Sequence, residues 1–418
     1  MKIRPFSALR PASNELARRI ASLPYDVVDT AEARALAGGD PLSFYRVVRS
    51  EIDLPEGTDA RDPAVYARAK DALGALVSGG SLVQEEAPSL YLYRQTMGGA
   101  SQTAVVACCS IDDYASGTIL RHEKTRKDKE DDRTDHILAT RAHTGQVFLC
   151  YRDEAEIDGV VAAECAAEPL FDFTAEDGVG HAVWRASPAG AAALVSAFAG
   201  VPRAYIADGH HRSAASFRAG SELRAAGDPS TRRPDGPAAD PGADWFMACL
   251  FPASQLRILP YNRCVRDLNG LSPRDFLKAA LARGFSAAAV SSPDNIPASS
   301  CALRLPDGWY RLSWPLTDAQ AADPVQSLDV ARLQDDLLAP VLGVGDPRTD
   351  PRIYFVGGIR GTAELERDVA SGKAAAAFAM HPTGIDQMMA VADAGAMMPP
   401  KSTWFEPKLR SGLLVHRF

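Results

Sequence analysis

The chain has 418 residues, of which 46% are apolar and 23% charged, and its formal net charge is −8. These are proportions of a globular protein with ample core, so they exclude disorder as the whole answer, and the length allows roughly two to three domains. The negative balance argues against a dedicated duplex-DNA binder, which needs clustered Lys and Arg, and no nucleic-acid partner is expected.

From the N-terminus, MKIRPFSALRP carries Pro5 and Arg10 where a signal peptide keeps an apolar stretch. No run approaches the ~20 apolar residues of a membrane span, so no membrane partner and a cytoplasmic location are expected. Leu23-Pro24-Tyr25-Asp26 reads as extended. Asp29 with Glu32 resembles a capping box before AEARALA, which Gly38-Gly39 stops. Val65, Ala69, Leu73 and Leu76 share one face of a helix predicted over 63–77. SLYLYRQTM, Gly98-Gly99 and SQTAVVACCSI form a predicted β-hairpin.

The segment 121–141 is dense in charge of both signs, and its plain reading is a solvated helix face laced with i,i+4 pairs. GQVFLCY is a strand, and RAYIA is a strand running into Asp208-Gly209-His210-His211-Arg212 and a helix. Residues 225–243 hold Pro, Gly and Asp at loop density. Beyond them come two strands in 245–265, a helix over DFLKAALARGF, a hairpin around Pro306-Asp307-Gly308, and alternating helices and strands to the end. The fold class is therefore mixed α/β (α+β). The expected division is an α/β region over 1–224, a linker or loop over 225–243, and a second α/β region over 244–418. Seven scattered cysteines without C-x-x-C spacing are read as reduced thiols, mostly core filler.

The most informative stretch is 204–216. A strand ending in Asp-Gly and restarting as a helix presents free backbone N–H groups beside a guanidinium, which makes an anion site, and Arg212 can fork onto two phosphate oxygens. Asp208 either caps that helix or holds a divalent cation. Zinc is disfavoured, because His210 and His211 are adjacent on a helix, about 100° apart, with no third ligand at a standard spacing. HEKTR is not the metalloprotease H-E-x-x-H, since position 126 is Arg. No P-loop, G-x-G-x-x-G or protein-kinase set is present, and Gly357-Gly358 reads as a tight strand-to-helix connection. PPKSTWFEPKL, at 399–409, has prolines that forbid a helix interior and then exposed donors, suited to cradling a small anion. The anion would lie against Lys401, Ser402 and Thr403, with Trp404 or Phe405 packing the segment down. The plainer alternative is an ordinary docked strand with Lys at its edge.

IADGHHRSAA resembles the signature of the ParB/sulfiredoxin-like superfamily, specifically its free-serine-kinase branch, in which an Asp-Gly-His-His-Arg turn binds nucleotide phosphates. Three further stretches resemble one bacterial family of about this length in that branch: Leu23 to Val28 (LPYDVV), Arg121 to Thr125 (RHEKT), and PPKSTWFEPKL. The resemblance implies a ParB/sulfiredoxin-like nucleotide-binding core with additional α/β elements, and Mg²⁺-dependent transfer of a phosphoryl group from ATP, or less favourably ADP, to free L-serine. It implies Glu123 as the base, Asp26 as the reserve and Lys124 beside them. Nucleotide contacts fall to Asp208, Gly209, His210, His211 and Arg212, with Arg126, Arg133 and His136 in support. Asp208 would be the metal ligand, and His122, Tyr25, Lys401, Ser402, Thr403 and Lys408 would meet the serine. A ParB-type nucleotide-binding regulator is the alternative, with no basic helix-turn-helix evident to support it. A metal-dependent hydrolase using Asp208, His210 and His211 ranks last.

Overall fold

A computed structural model describes residues 1–231 and 242–418. Nine strands form its largest sheet: β1 (Ile3–Arg4), β2 (Tyr91–Met97), β3 (Ala100–Ser110), β4 (Ile119–Leu120), β5 (Val147–Tyr151), β6 (Phe171–Thr174), β7 (Gly180–Arg185), β8 (Ala204–Asp208) and β9 (Trp245–Pro252). Their order is β4-β8-β5-β9-β3-β2-β7-β6, with β1 also pairing with β3. Pairing is parallel for β8 with β4 and β9 with β5, and antiparallel elsewhere, so within the expected mixed α/β class the sheet itself is mixed. The β2–β3 hairpin turns at Gly98 and Gly99, whose φ values of +58° and +80° match a two-residue turn. The unbroken apolar runs of β5 and β9 are buried because these strands are central and covered on both faces.

The position of β9 sets the unit boundary. The chain divides into Met1–Leu256 with Pro407–Phe418, and Arg257–Glu406, and not at 225–243. Because β9 pairs with both β3 and β5, assigning it to a C-terminal region would cut the first unit's sheet in two. Of the expected 225–243 loop, residues 232–241 lie outside the described residues.

Four helices of the first unit bear on the site: α1 (Thr30–Ala37), α2 (Pro63–Ser78), α3 (Lys127–Thr140) and α4 (His210–Ala225). The Asp29/Glu32 capping box and the Gly38 stop of α1 form as read, and α2 buries Val65, Ala69, Leu73 and Leu76. Two local expectations are corrected. Residues 23–26 are not extended: the Val27 N–H donates to the Pro24 carbonyl at 3.1 Å, closing a turn over residues 24–27. The charged segment becomes helical only at Lys127 and buries Thr134, His136, Ile137 and Thr140, so RHEKT is a loop ahead of α3.

The second unit is an antiparallel sheet of β10 (Tyr261–Val265), β11 (Ser286–Val290), β12 (Ser300–Leu305), β13 (Gly308–Ser313), β14 (Ile353–Gly357) and β15 (Ala376–Met380), ordered β11-β13-β12-β15-β10-β14. Where two strands were expected over 245–265 there is a third, Arg257–Leu259, which pairs with Trp404–Glu406 and so joins the two ends of this unit. A Cβ on Gly358 would fall 2.6 Å from the Pro260 carbonyl oxygen, which explains the glycine in that tight connection. None of the seven cysteines is in a disulfide, and six of them are buried. Among the described residues, no helix is long and apolar enough to cross a membrane.

Residues 407–418 are laced into the first unit. Gln95 Nε2 donates to the Lys408 carbonyl at 2.9 Å, and the Arg410 N–H donates to the Tyr93 hydroxyl at 3.3 Å. Ser411 exchanges backbone hydrogen bonds with Ser22, and Val415 with Leu9. His416 pairs with His143, their Nδ1 atoms 3.1 Å apart and their rings stacked.

Burial lowers the pKa of six histidines in this unit, His122, His136, His143, His181, His210 and His416, the first two to about 4 and the next two to about 3. A depressed histidine stabilises the fold fully above its unfolded pKa of about 6.5, and that contribution is lost as pH falls toward the folded value, at about 1.4 kcal/mol per pH unit for each group. Acid unfolding of the first unit is therefore expected between about pH 6 and 4, steeply. Tryptophan fluorescence followed through a pH titration checks this; a signal that stays native to pH 3.5 would contradict it.

Candidate functional site

The apolar residues of β8 are buried, and the strand ends on Asp208. Gly209 follows at φ +99°, and α4 starts at His210 with no side chain capping it. The expected choice of Asp208 as a cap is thus corrected, because its carboxylate faces cations instead. Arg212 Nη2 donates to Oδ1 at 3.1 Å and Lys408 Nζ to Oδ2 at 2.8 Å. Burial pushes the Asp208 carboxyl up, but the charges of Lys408 and Arg212 outweigh it and hold the group well below the usual carboxylate range. Arg212 is itself buried, donates through Nη1 to the Gln146 carbonyl, and lies 4.0 Å from Asp26.

Gly209 is required twice over. Its φ is left-handed, and a Cβ would sit 3.0 Å from Arg212 Nε and 3.1 Å from Cζ. Gly209→Ala is expected to cost about 1–3 kcal/mol of stability in urea unfolding, and an unchanged midpoint would show that the turn relaxes freely.

His210 and His211 each bond to the chain through one ring nitrogen. His210 Nε2 accepts the His122 N–H at 3.4 Å, and His211 Nε2 accepts the Arg126 N–H at 3.1 Å. The His122 and His210 rings also meet edge to face, 4.5 Å apart. The two imidazoles thereby fix residues 122 and 126 against the start of α4, with Glu123 and Lys124 between them. Burial takes His122 down to about 4 and His210 well below its ordinary value, so both are neutral at pH 7, as an accepting Nε2 requires.

Three buried polar atoms around this turn have no hydrogen-bond partner: His122 Nδ1, Gln146 Nε2 and Arg212 Nε. Each such group costs about 1–3 kcal/mol when left unmade. They belong to residues 122, 146 and 212, and each could still take a polar partner. The helix also gives no i−4 acceptor to the N–H groups of residues 210–212, the first intrahelical bond being Ser213 to Gly209.

The other predicted residues are placed as follows. Lys124 is exposed, and the exposed Arg126 forks onto Asp128 at 3.1 and 2.9 Å. Arg133 pairs with Asp132 at 2.8 Å and lies 4.1 Å over the buried Tyr25 ring. His136, expected to support the phosphates, instead donates from Nε2 to the Val47 carbonyl at 2.9 Å as a core residue. The 399–409 block is divided between the units after Glu406. Within the second unit, Lys401 Nζ lies 5.3 Å over the Tyr261 ring, Ser402 Oγ donates to the Pro399 carbonyl at 2.6 Å, and Thr403 is half-buried. Trp404 packs on Tyr261 and Phe405 is buried, the anchoring expected of that pair.

Asp208 does not fit a magnesium ligand, since both its oxygens hold cationic side chains. Among the described residues, no three His, Cys, Asp or Glu side chains form a metal-binding group. Sequence reasoning missed Gln146, which carries no motif, and the pairing of Lys408 with Asp208, which only the fold brings together. The Asp208–Arg212 pair was visible as an i,i+4 spacing.

Fold and site together define a mixed α/β protein with a strand–Asp-Gly–helix turn clamped by a returning C-terminal segment. The sequence matches the family described as "Protein of unknown function (DUF1015)" over residues 3–331, and the chain belongs to that family. No curated protein matches it. Among solved structures it is similar to a free serine kinase in complex with AMP, at 12% identity and a TM-score of 0.37, covering 74% of this chain and 92% of that one. It is similar to a mutant free serine kinase in complex with ADP, at 11% identity and a TM-score of 0.36 over the same shares. SbnI with C-terminal truncation from Staphylococcus aureus shares 11% identity, with a TM-score of 0.39, over 74% of this chain and 87% of that one.

Proposed function

We propose that this protein is a nucleotide-dependent kinase of free L-serine, with ATP as the favoured donor and ADP as the alternative. The observation that carries the proposal is the pair of imidazole–backbone hydrogen bonds that fasten residues 122–126 to the Asp-Gly-His-His-Arg turn. They hold the segment that carries a carboxylate, Glu123, against the start of α4. Phosphoryl transfer asks for little beyond such positioning and charge.

In this reading the phosphates rest on the N–H groups that open α4, beside Arg212. The serine oxygen bonds to the terminal phosphorus as the bond from phosphorus to the bridging oxygen breaks. The hydroxyl proton passes to Glu123, and the products are O-phospho-L-serine and ADP, or AMP where ADP is the donor. Asp26, near Arg212, is the reserve base. Lys124 adds an exposed cation next to Glu123. His122, His210 and His211 are positioning residues.

Purified protein incubated with Mg²⁺, L-serine and ATP or ADP should yield O-phosphoserine by mass spectrometry, with nucleotide loss only when serine is present. Turnover that responds to DNA and ignores serine would replace this reading with that of a ParB-type regulator.

A further inference from the structure

Between α3, α4 and the C-terminal segment lies a cavity of about 30 Å³. Arg133, Thr144, Gly145, Arg212, Ser216 and Ser411 contribute to its wall, and no Asp or Glu does so among the described residues. Thr144, Ser216 and Ser411 are all more than nine-tenths buried, and none of their hydroxyls bonds to another described residue. Arg212 is equally buried, and its Nε is one of the atoms without a partner. A fold that leaves three buried hydroxyls unmet around one void, otherwise walled in part by Pro24, Val48 and Ile137, gives that void a built polar side, since buried polar groups are otherwise satisfied.

The chamber's chemistry is that of donors. Hydroxyls can donate and the guanidinium must; no carboxylate lines the chamber to meet the hydroxyls, while Arg212 and Arg133 have their carboxylate partners, Asp208 and Asp132, outside its wall. Its complement is a small oxyanion. Its volume corresponds to about two water molecules, which suits the two oxygens of a carboxylate and is tight for the four of a phosphate.

We infer that this chamber is a carboxylate subsite, and that it receives the carboxylate of the small acceptor. The inference rests on the kinase reading and deepens it: the acceptor would be an amino acid held by its carboxylate on the Arg212 side. Arg212 then serves as a hinge between the donor turn and the acceptor. The same side chain that folds over Gly209 borders the chamber, so one guanidinium aligns both reactants.

Two mild substitutions test this in the full chain. In Gly145→Ala the new methyl would meet Arg212 Cδ and Ser411 Oγ at 3.7 Å, ordinary contact distance, so it enters the chamber without a clash. Ser216→Ala removes a single hydroxyl. Calorimetric titration with L-serine, 2-aminoethanol and inorganic phosphate, with ADP binding and thermal unfolding as controls, should show serine affinity reduced at least about tenfold in both variants. 2-Aminoethanol, lacking the carboxylate, should bind weakly and equally to all three proteins. Serine binding unchanged in both variants would overturn the assignment. So would phosphate affinity that falls in the variants while serine affinity does not, which would make the chamber a phosphate site. The two readings fail separately. Variant-sensitive serine binding with no O-phosphoserine from any nucleotide sinks the kinase and leaves the subsite, whereas O-phosphoserine formed at an unchanged KM by both variants does the reverse.

Discussion

Glu123→Gln is expected to lower serine phosphorylation by about 10²–10⁴-fold while nucleotide affinity stays within about twofold of the parent. The amide keeps the size of the side chain and loses only its ability to take a proton. Geometry should survive the change, because the backbone N–H groups of His122 and Arg126 are bonded to His210 and His211 whichever group the side chain at 123 carries. Single-turnover kinetics beside equilibrium nucleotide titration separate the two effects. Asp26→Asn belongs in the same experiment, since Asp26 stands 4.0 Å from Arg212 and is the reserve base. A large loss in Asp26→Asn with near-parent rates in Glu123→Gln would exchange their roles.

What the sequence made legible was whatever is encoded locally. The Asp29/Glu32 box, the Gly98-Gly99 hairpin and the passage from β8 through Gly209 into α4 each rest on residues within a few positions of one another, where steric and capping rules act directly. The unit boundary was not legible, because it is decided by β9 finding partners in β3 and β5 and by Arg257–Leu259 pairing with Trp404–Glu406. Composition marks the loop at 225–243 but says nothing about those pairings.

The histidines show the same limit within the site. Residue type suggested that His210 and His211 meet the ligand, whereas their acceptors bind backbone N–H groups, which every residue but proline offers and no motif can flag. His136 was placed by helix spacing beside Arg133, and the spacing was right. Burial against Val47 decided what it does there.

Lys408 and Arg212 carry the largest expected effect on stability, and the two should differ. The Asp208, Arg212 and Lys408 side chains are 23%, 9% and 11% exposed, so the cluster is interior and its charges are poorly screened. Removing one partner of a buried pair leaves the other uncompensated, at about 3–5 kcal/mol. Arg212→Ala sits at the upper end, because it also strips the Gln146 carbonyl of its donor and empties the space over Gly209. It should weaken nucleotide binding as well as the fold. Lys408→Met keeps the aliphatic stem and leaves Asp208 its Arg212 bond, so about 3 kcal/mol is expected, measured by urea unfolding at pH 7. The pH dependence has a definite sign. A carboxyl held low in the folded state stabilises above its unfolded pKa of about 3.9 and loses that contribution as pH falls through the folded value, so the deficit of Lys408→Met should be full at pH 7 and shrink in acid. Gln95, Tyr93 and Ser22 grip residues 408–411 independently of the charge. A Lys408→Met protein as stable as the parent would therefore mean that those neutral contacts alone seat the C-terminal segment.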